Sequence, residues 1–120
     1  MHLLKLTEIR KTLITSSSTI SEAIKSLNKS ELKIALVMKK NRLVGTVVDG
    51  DIRRGLLKGI SLNDKIYKIL NKKPTTVGES AKKKEATYLM KEYKVQHIPV
   101  LNKKKFLVGL FIKPDLIAPA

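Results

Sequence analysis

Residues 34–52 and 98–116 of this chain are two versions of one segment. Written out, IALVMKKNRLVGTVVDGDI lies on IPVLNKKKFLVGLFIKPDL at a constant offset of 64, without a gap. Ile34, Lys39, Lys40, Leu43, Val44, Gly45 and Asp51 meet identical residues, seven of 19 positions, where chance supplies about one. Five further pairs are apolar for apolar. Upstream, after a one-residue deletion, Ala23, Ile24 and Leu27 meet Ala86, Thr87 and Met90. A tandem duplication restricts the fold more than any other feature of the chain. Whatever one copy forms the other must also form, and a unit of about 60 residues covers its own core poorly.

Each copy shows the same order of elements. Ile20, Ala23, Ile24 and Leu27 recur at i, i+3, i+4 and i+7, and Thr19 followed by Glu22 has the spacing of a capping box, so a helix begins near Thr19. In the second copy Ala86, Leu89, Met90 and Tyr93 repeat the stripe, with Ser80 as the expected N-cap. Apolar, β-branched runs at 34–38 and 43–48, and again at 98–101 and 106–112, are joined by short Lys/Asn turns and read as hairpins. Short strands are expected at 13–15 and 75–77. Between the copies, 51–58 reads as a helix ended by Gly59, and 63–70 as another capped by Ser61. The unit is β-α-β-β-α, twice: an α/β fold in which the two copies pack around a pseudo-two-fold axis and leave clefts where they meet. One module is expected over 1–120, with repeat one at about 13–59, a linker helix at about 61–73 and repeat two at about 74–117.

Composition excludes several alternatives. With no cysteine and only His2 and His97, thiolate zinc sites, disulfides and a cysteine nucleophile are out, and no metal is expected. No apolar run approaches bilayer length and no leader opens the chain, so a cytoplasmic protein without a membrane partner is expected. The charge stands out: 25 Lys+Arg against 10 Asp+Glu, a formal +15. Anionic partners follow from it, but only Arg10, Arg42, Arg53 and Arg54 are arginines, and the lysines are scattered through turns. Aromatic residues make up 4%, which weighs against nucleic acid, because single-strand binders stack bases on aromatic rings. No clustered nucleophile and base and no phosphate-cradling glycine loop is present, so an enzyme is the least favoured reading.

The duplicated apolar-Gly-x-x-x-x-x-Asp segment, with residues 45–59 (GTVVDGDIRRGLLKG), resembles tandem CBS domains, named after cystathionine β-synthase, over nearly the whole chain. It looks most like the pairs attached to sugar-phosphate enzymes, those ahead of sugar-1-phosphate nucleotidyltransferases and those behind the isomerase domain of arabinose-5-phosphate isomerases. With no isomerase domain ahead of repeat one, the first context is favoured, and a catalytic domain is expected beyond Ala120.

The resemblance implies a regulatory module that holds an adenine nucleotide, AMP, ADP or ATP, with the aspartates Asp51 and Asp115 on the ribose. An ionised carboxylate is an acceptor suited to two adjacent hydroxyls; each aspartate also sits where an N-cap is useful. Where ribose-phosphate-binding members carry Ser or Thr, three residues before the aspartate, this chain has Val48 and Ile112. Each lost hydroxyl removes about 0.5–1.5 kcal/mol. Arg53 and Arg54, in the first turn of a helix, suit a phosphate or a surface pair with Asp49. Gly50 allows close approach of backbone. Thr15 and Ile34 are expected near the base, and His97, at a strand start whose backbone contacts adenine in resembling proteins, reads as a capping or solvated histidine. Ligand is expected to favour the Asp51 cleft over that of Asp115. A homodimer through Leu56, Leu57, Ile66 and Ile69 is expected. The alternative is a CBS scaffold for oligomerisation that binds no ligand.

Overall fold

A computed structural model of the chain describes residues 2–114. They fall into two compact units, one made of residues 11–73 and the other of residues 2–10 with 74–114.

In the unit of residues 11–73, strand β2 (Leu13–Thr15) runs parallel to β3 (Ala35–Lys39), which pairs antiparallel with β4 (Arg42–Val47). Helix α1 (Ile20–Ser30) connects β2 to β3, and α2 (Asp49–Leu57) follows β4. The core is where the sequence periodicity placed it: Ile20, Ala23 and Leu27 of α1 meet Ala35, Val37, Val47, Ile52, Ile66 and Leu70. On the opposite face of the sheet Ile34 and Leu36 are also buried.

In the other unit the order is β1 (His2–Lys5), β7 (Leu107–Ile112), β6 (His97–Leu101), β5 (Val77–Gly78), with β6 parallel to β5 and antiparallel to β7. Helix α3 (Lys83–Tyr93) packs Ala86 and Met90 against Val77, Ile98, Val100 and Phe111. The two units repeat one design, a parallel pair bridged by a helix and closed by a hairpin. The expected mixed α/β architecture, with strand, helix and hairpin in the same order in each repeat, is the one observed.

Four local expectations are corrected. The N-cap of α3 is Lys82, not Ser80. The strand expected at 75–77 is Val77–Gly78. Residues 63–70 form only one 3-10 turn, Ile66–Lys68. Their backbone is spent elsewhere: Ile20 N donates to Asp64 O (2.9 Å), Ile66 N to Ser18 O (2.8 Å), and Asn71 exchanges two hydrogen bonds with Thr46. Amides committed to tertiary partners cannot also build an i to i−4 ladder. Strand β1 was not expected, because His2–Lys5 is too short and too exposed to carry an alternation signal. It pairs with β7 from His2↔Ile112 to Lys5↔Gly109. The last helix expected in repeat two lies outside the described residues.

Candidate ligand-binding site

The strongest group of expected site residues stands at the start of α2. Val48 is the N-cap in extended conformation, and its side chain cannot accept a hydrogen bond. Asp51, three residues on, supplies what the missing hydroxyl does not: Val48 N donates to Asp51 Oδ2 at 2.9 Å. Asp51 is therefore the third helical residue and caps backwards, rather than being the N-cap itself. Its other oxygen, Oδ1, accepts from Arg54 Nη2 at 2.7 Å. The Asp51 side chain is 16% exposed and that of Arg54 61%. The arginines were expected to suit a phosphate or a surface pair with Asp49; Arg54 pairs with Asp51.

Gly50 explains how Arg54 reaches back. A Cβ there would lie 3.0 Å from Arg54 Nη1, so the space over Gly50 is occupied by the guanidinium. Arg53 is exposed beside it. The cluster thus presents two arginines, one paired and one exposed, around a carboxylate with both oxygens engaged. Since each carboxylate oxygen has two lone-pair sites, Asp51 retains acceptor capacity.

Strand register places the rest. Ala35 pairs with Val47, so Ile34 and Val48 follow at the same end of the sheet as Asp51, Ile34 being buried. Thr15 pairs with Met38, four residues along β3 from Ile34, or about 13 Å. Thr15 and Ile34, both expected near a base, therefore stand toward opposite ends of β3. Thr15 belongs to a hydroxyl cluster, with Oγ1 3.0 Å from Ser17 Oγ and 3.3 Å from Ser18 Oγ. In the second repeat, His97 and Ile112 are cross-strand partners, both buried, so His97 is a strand residue and not the capping or solvated histidine expected. On the other side of Ile112 stands His2, a neighbour that nothing in the sequence announced because β1 itself was unannounced. Asp115 lies outside the described residues. Two open grooves lie along residues 76–105, of about 440 and 480 Å³, and none of the expected site residues lines them.

The model of the CBS domain family matches this chain twice, over residues 9–58 and 66–118. The chain belongs to the CBS domain family. A CBS domain protein from Pyrobaculum aerophilum complexed with AMP superposes with a TM-score of 0.77 at 26% identity, covering 84% of this chain and 79% of that one. Protein MJ1004 from Methanocaldococcus jannaschii superposes with a TM-score of 0.72 at 27% identity over 84% of this chain and 50% of that one. Among curated relatives, a protein of Helicobacter pylori J99 is 31% identical over 100 residues, 82% of this chain and 30% of the relative. A "probable arabinose 5-phosphate isomerase" of Haemophilus influenzae is 28% identical over 99 residues, 81% of this chain and 29% of the relative. The CBS pair thus spans about 30% of the length of these curated relatives. No helix among the described residues is long and apolar enough to cross a membrane.

Proposed function

We propose that this CBS pair is a cytoplasmic regulatory module that binds an adenine nucleotide, AMP, ADP or ATP, and tunes a sugar-phosphate enzyme of the nucleotidyltransferase kind. The observation that carries the reading is the likeness to a CBS protein whose structure holds AMP. The Asp51 cluster supports it chemically. Arg54 pairs with Asp51. On binding, Arg54 turns to the phosphate, the freed Oδ1 accepts from a ribose hydroxyl, and Oδ2 keeps the Val48 amide. Arg53 adds charge at the same helix end. The module works as a homodimer, with Leu56 and Leu57, 42% and 81% exposed, at the contact; Ile66 is 0% exposed and so has no place in it.

Val48, Ile112 and the engaged state of Asp51 favour the second reading, a scaffold without ligand. Calorimetry with AMP, ADP and ATP separates the two. Binding is expected, weakened more by Asp51→Ala than by Asp115→Ala, with Asp51→Asn as the variant that preserves the amide cap. No heat with any of the three nucleotides for the unmodified protein overturns the nucleotide reading and leaves the scaffold.

A further inference from the structure

The three tyrosines of the chain, Tyr67, Tyr88 and Tyr93, are all exposed, by 59, 63 and 60%. The low aromatic content weighs less against nucleic acid once the three tyrosines are seen to be exposed. Tyr88 is the best placed. On α3, Lys84, Tyr88 and Lys91 stand at i, i+4 and i+7 and share one solvent-facing stripe. Beside Tyr88 runs the groove of about 480 Å³ lined by Ser80, Lys82, Lys84, Glu85 and Tyr88. Along α3 and its two cap positions Lys82, Lys83, Lys84, Lys91 and Lys94 outnumber Glu85 and Glu92, and no ion pair among the described residues neutralises any of these lysines.

We propose that this face of α3 binds single-stranded nucleic acid, with the Tyr88 ring as a stacking platform and Lys84 and Lys91 on the flanking phosphates. Stacking on one exposed ring between two cations needs an unpaired base, which a duplex does not offer. An anionic bilayer is a poorer fit. Interfacial helices insert an apolar face, whereas the aliphatic residues of α3 face the core, Ala86 and Met90 buried in it and Leu89 packed against it. The assignment does not rest on the adenine-nucleotide reading, since it uses no residue of the Asp51 cluster.

The test is fluorescence anisotropy of a labelled oligothymidylate with the full chain across salt concentrations. Binding is expected, Tyr88→Leu weakens it at least about fivefold while Tyr88→Phe retains it, and Lys84→Gln with Lys91→Gln flattens the salt slope by about 1.4. Asp51→Ala leaves it unchanged. Each of four results overturns the proposal: no binding at low salt, indifference to Tyr88→Leu, an equal loss on Lys39→Gln with Lys40→Gln, or capture of heparin or phosphatidylserine vesicles with the same dependence on Tyr88.

Discussion

Thr19 and Lys82 hold the same position in the two repeats, 63 residues apart, and treat the following helix differently. Thr19 Oγ1 accepts from Glu22 N at 3.2 Å while Thr19 N donates to Glu22 Oε1 at 3.1 Å. The Thr19 amide, and then the Thr19 hydroxyl, which donates to the same oxygen at 3.2 Å, hold the Glu22 carboxyl below its ordinary pKa. A carboxylate lowered on folding helps at pH values above its unfolded pKa, and that help is lost as pH falls through the folded value; the protection factors of amides in the first turn of α1, taken against intrinsic exchange at each pH, should fall over that acid range. Lys82 makes no side-chain cap, although Glu85 stands where Glu22 does, and it adds positive charge to the positive end of the helix dipole. Lys82→Thr should rebuild the reciprocal pair and stabilise the chain by about 1 kcal/mol, read as a melting midpoint raised by a few degrees. The Thr19 box was legible because its chemistry and spacing coincide. At α3 the rule pointed to Ser80, two residues early. There the start is set by the need to turn Ala86 and Met90 inward, and a lysine sits at the cap regardless.

At the scale of elements, Gly45 and Gly109 show what a strand glycine is for. A Cβ on Gly45 would collide with Leu70 Cδ1 and lie 2.6 Å from Asn71 O; on Gly109 it would lie 2.9 Å from Leu4 O. Both glycines admit a backbone crossing the hairpin. Gly45→Ala or Gly109→Ala should destabilise by about 1–3 kcal/mol, measured by urea unfolding. The hairpins were legible to within a residue or two because each buries an apolar run and turns on Lys/Asn. The 63–70 segment was misread as a helix because apolar spacing at Ile66, Ile69 and Leu70 does not reveal that Asp64, Ile66 and Asn71 have backbone partners in other elements. The site divides the same way. Arg54 stands at helical spacing from Asp51, yet the arginines read toward a phosphate or Asp49 and the Asp51 pair was not expected, whereas the distance of Thr15 from Ile34 depends on strand register, which is a tertiary fact.

At the scale of the whole molecule, the two crossing segments have exchanged places. The segment that precedes repeat one, β1, completes the hairpin of repeat two at Gly109, and the segment that precedes repeat two, around Asn71, completes the hairpin of repeat one at Thr46. Neither repeat, cut out as contiguous sequence from its first strand to its last, owns its edge. Expressed separately, residues 11–73 should give a weak but cooperative melt, since Asn71 travels with them. Residues 74–120 should give none until a peptide of residues 1–10 is added in trans, an outcome that circular dichroism can follow. The exchange also bears on how such a chain arose. Before duplication, a single repeat whose leading segment reached over to a neighbour's hairpin would have been an intertwined pair of separate molecules, stable only at concentrations that kept them together. Joining two copies head to tail turned that bimolecular exchange into an intramolecular one, so that partner choice became a matter of chain connectivity and no longer of encounter.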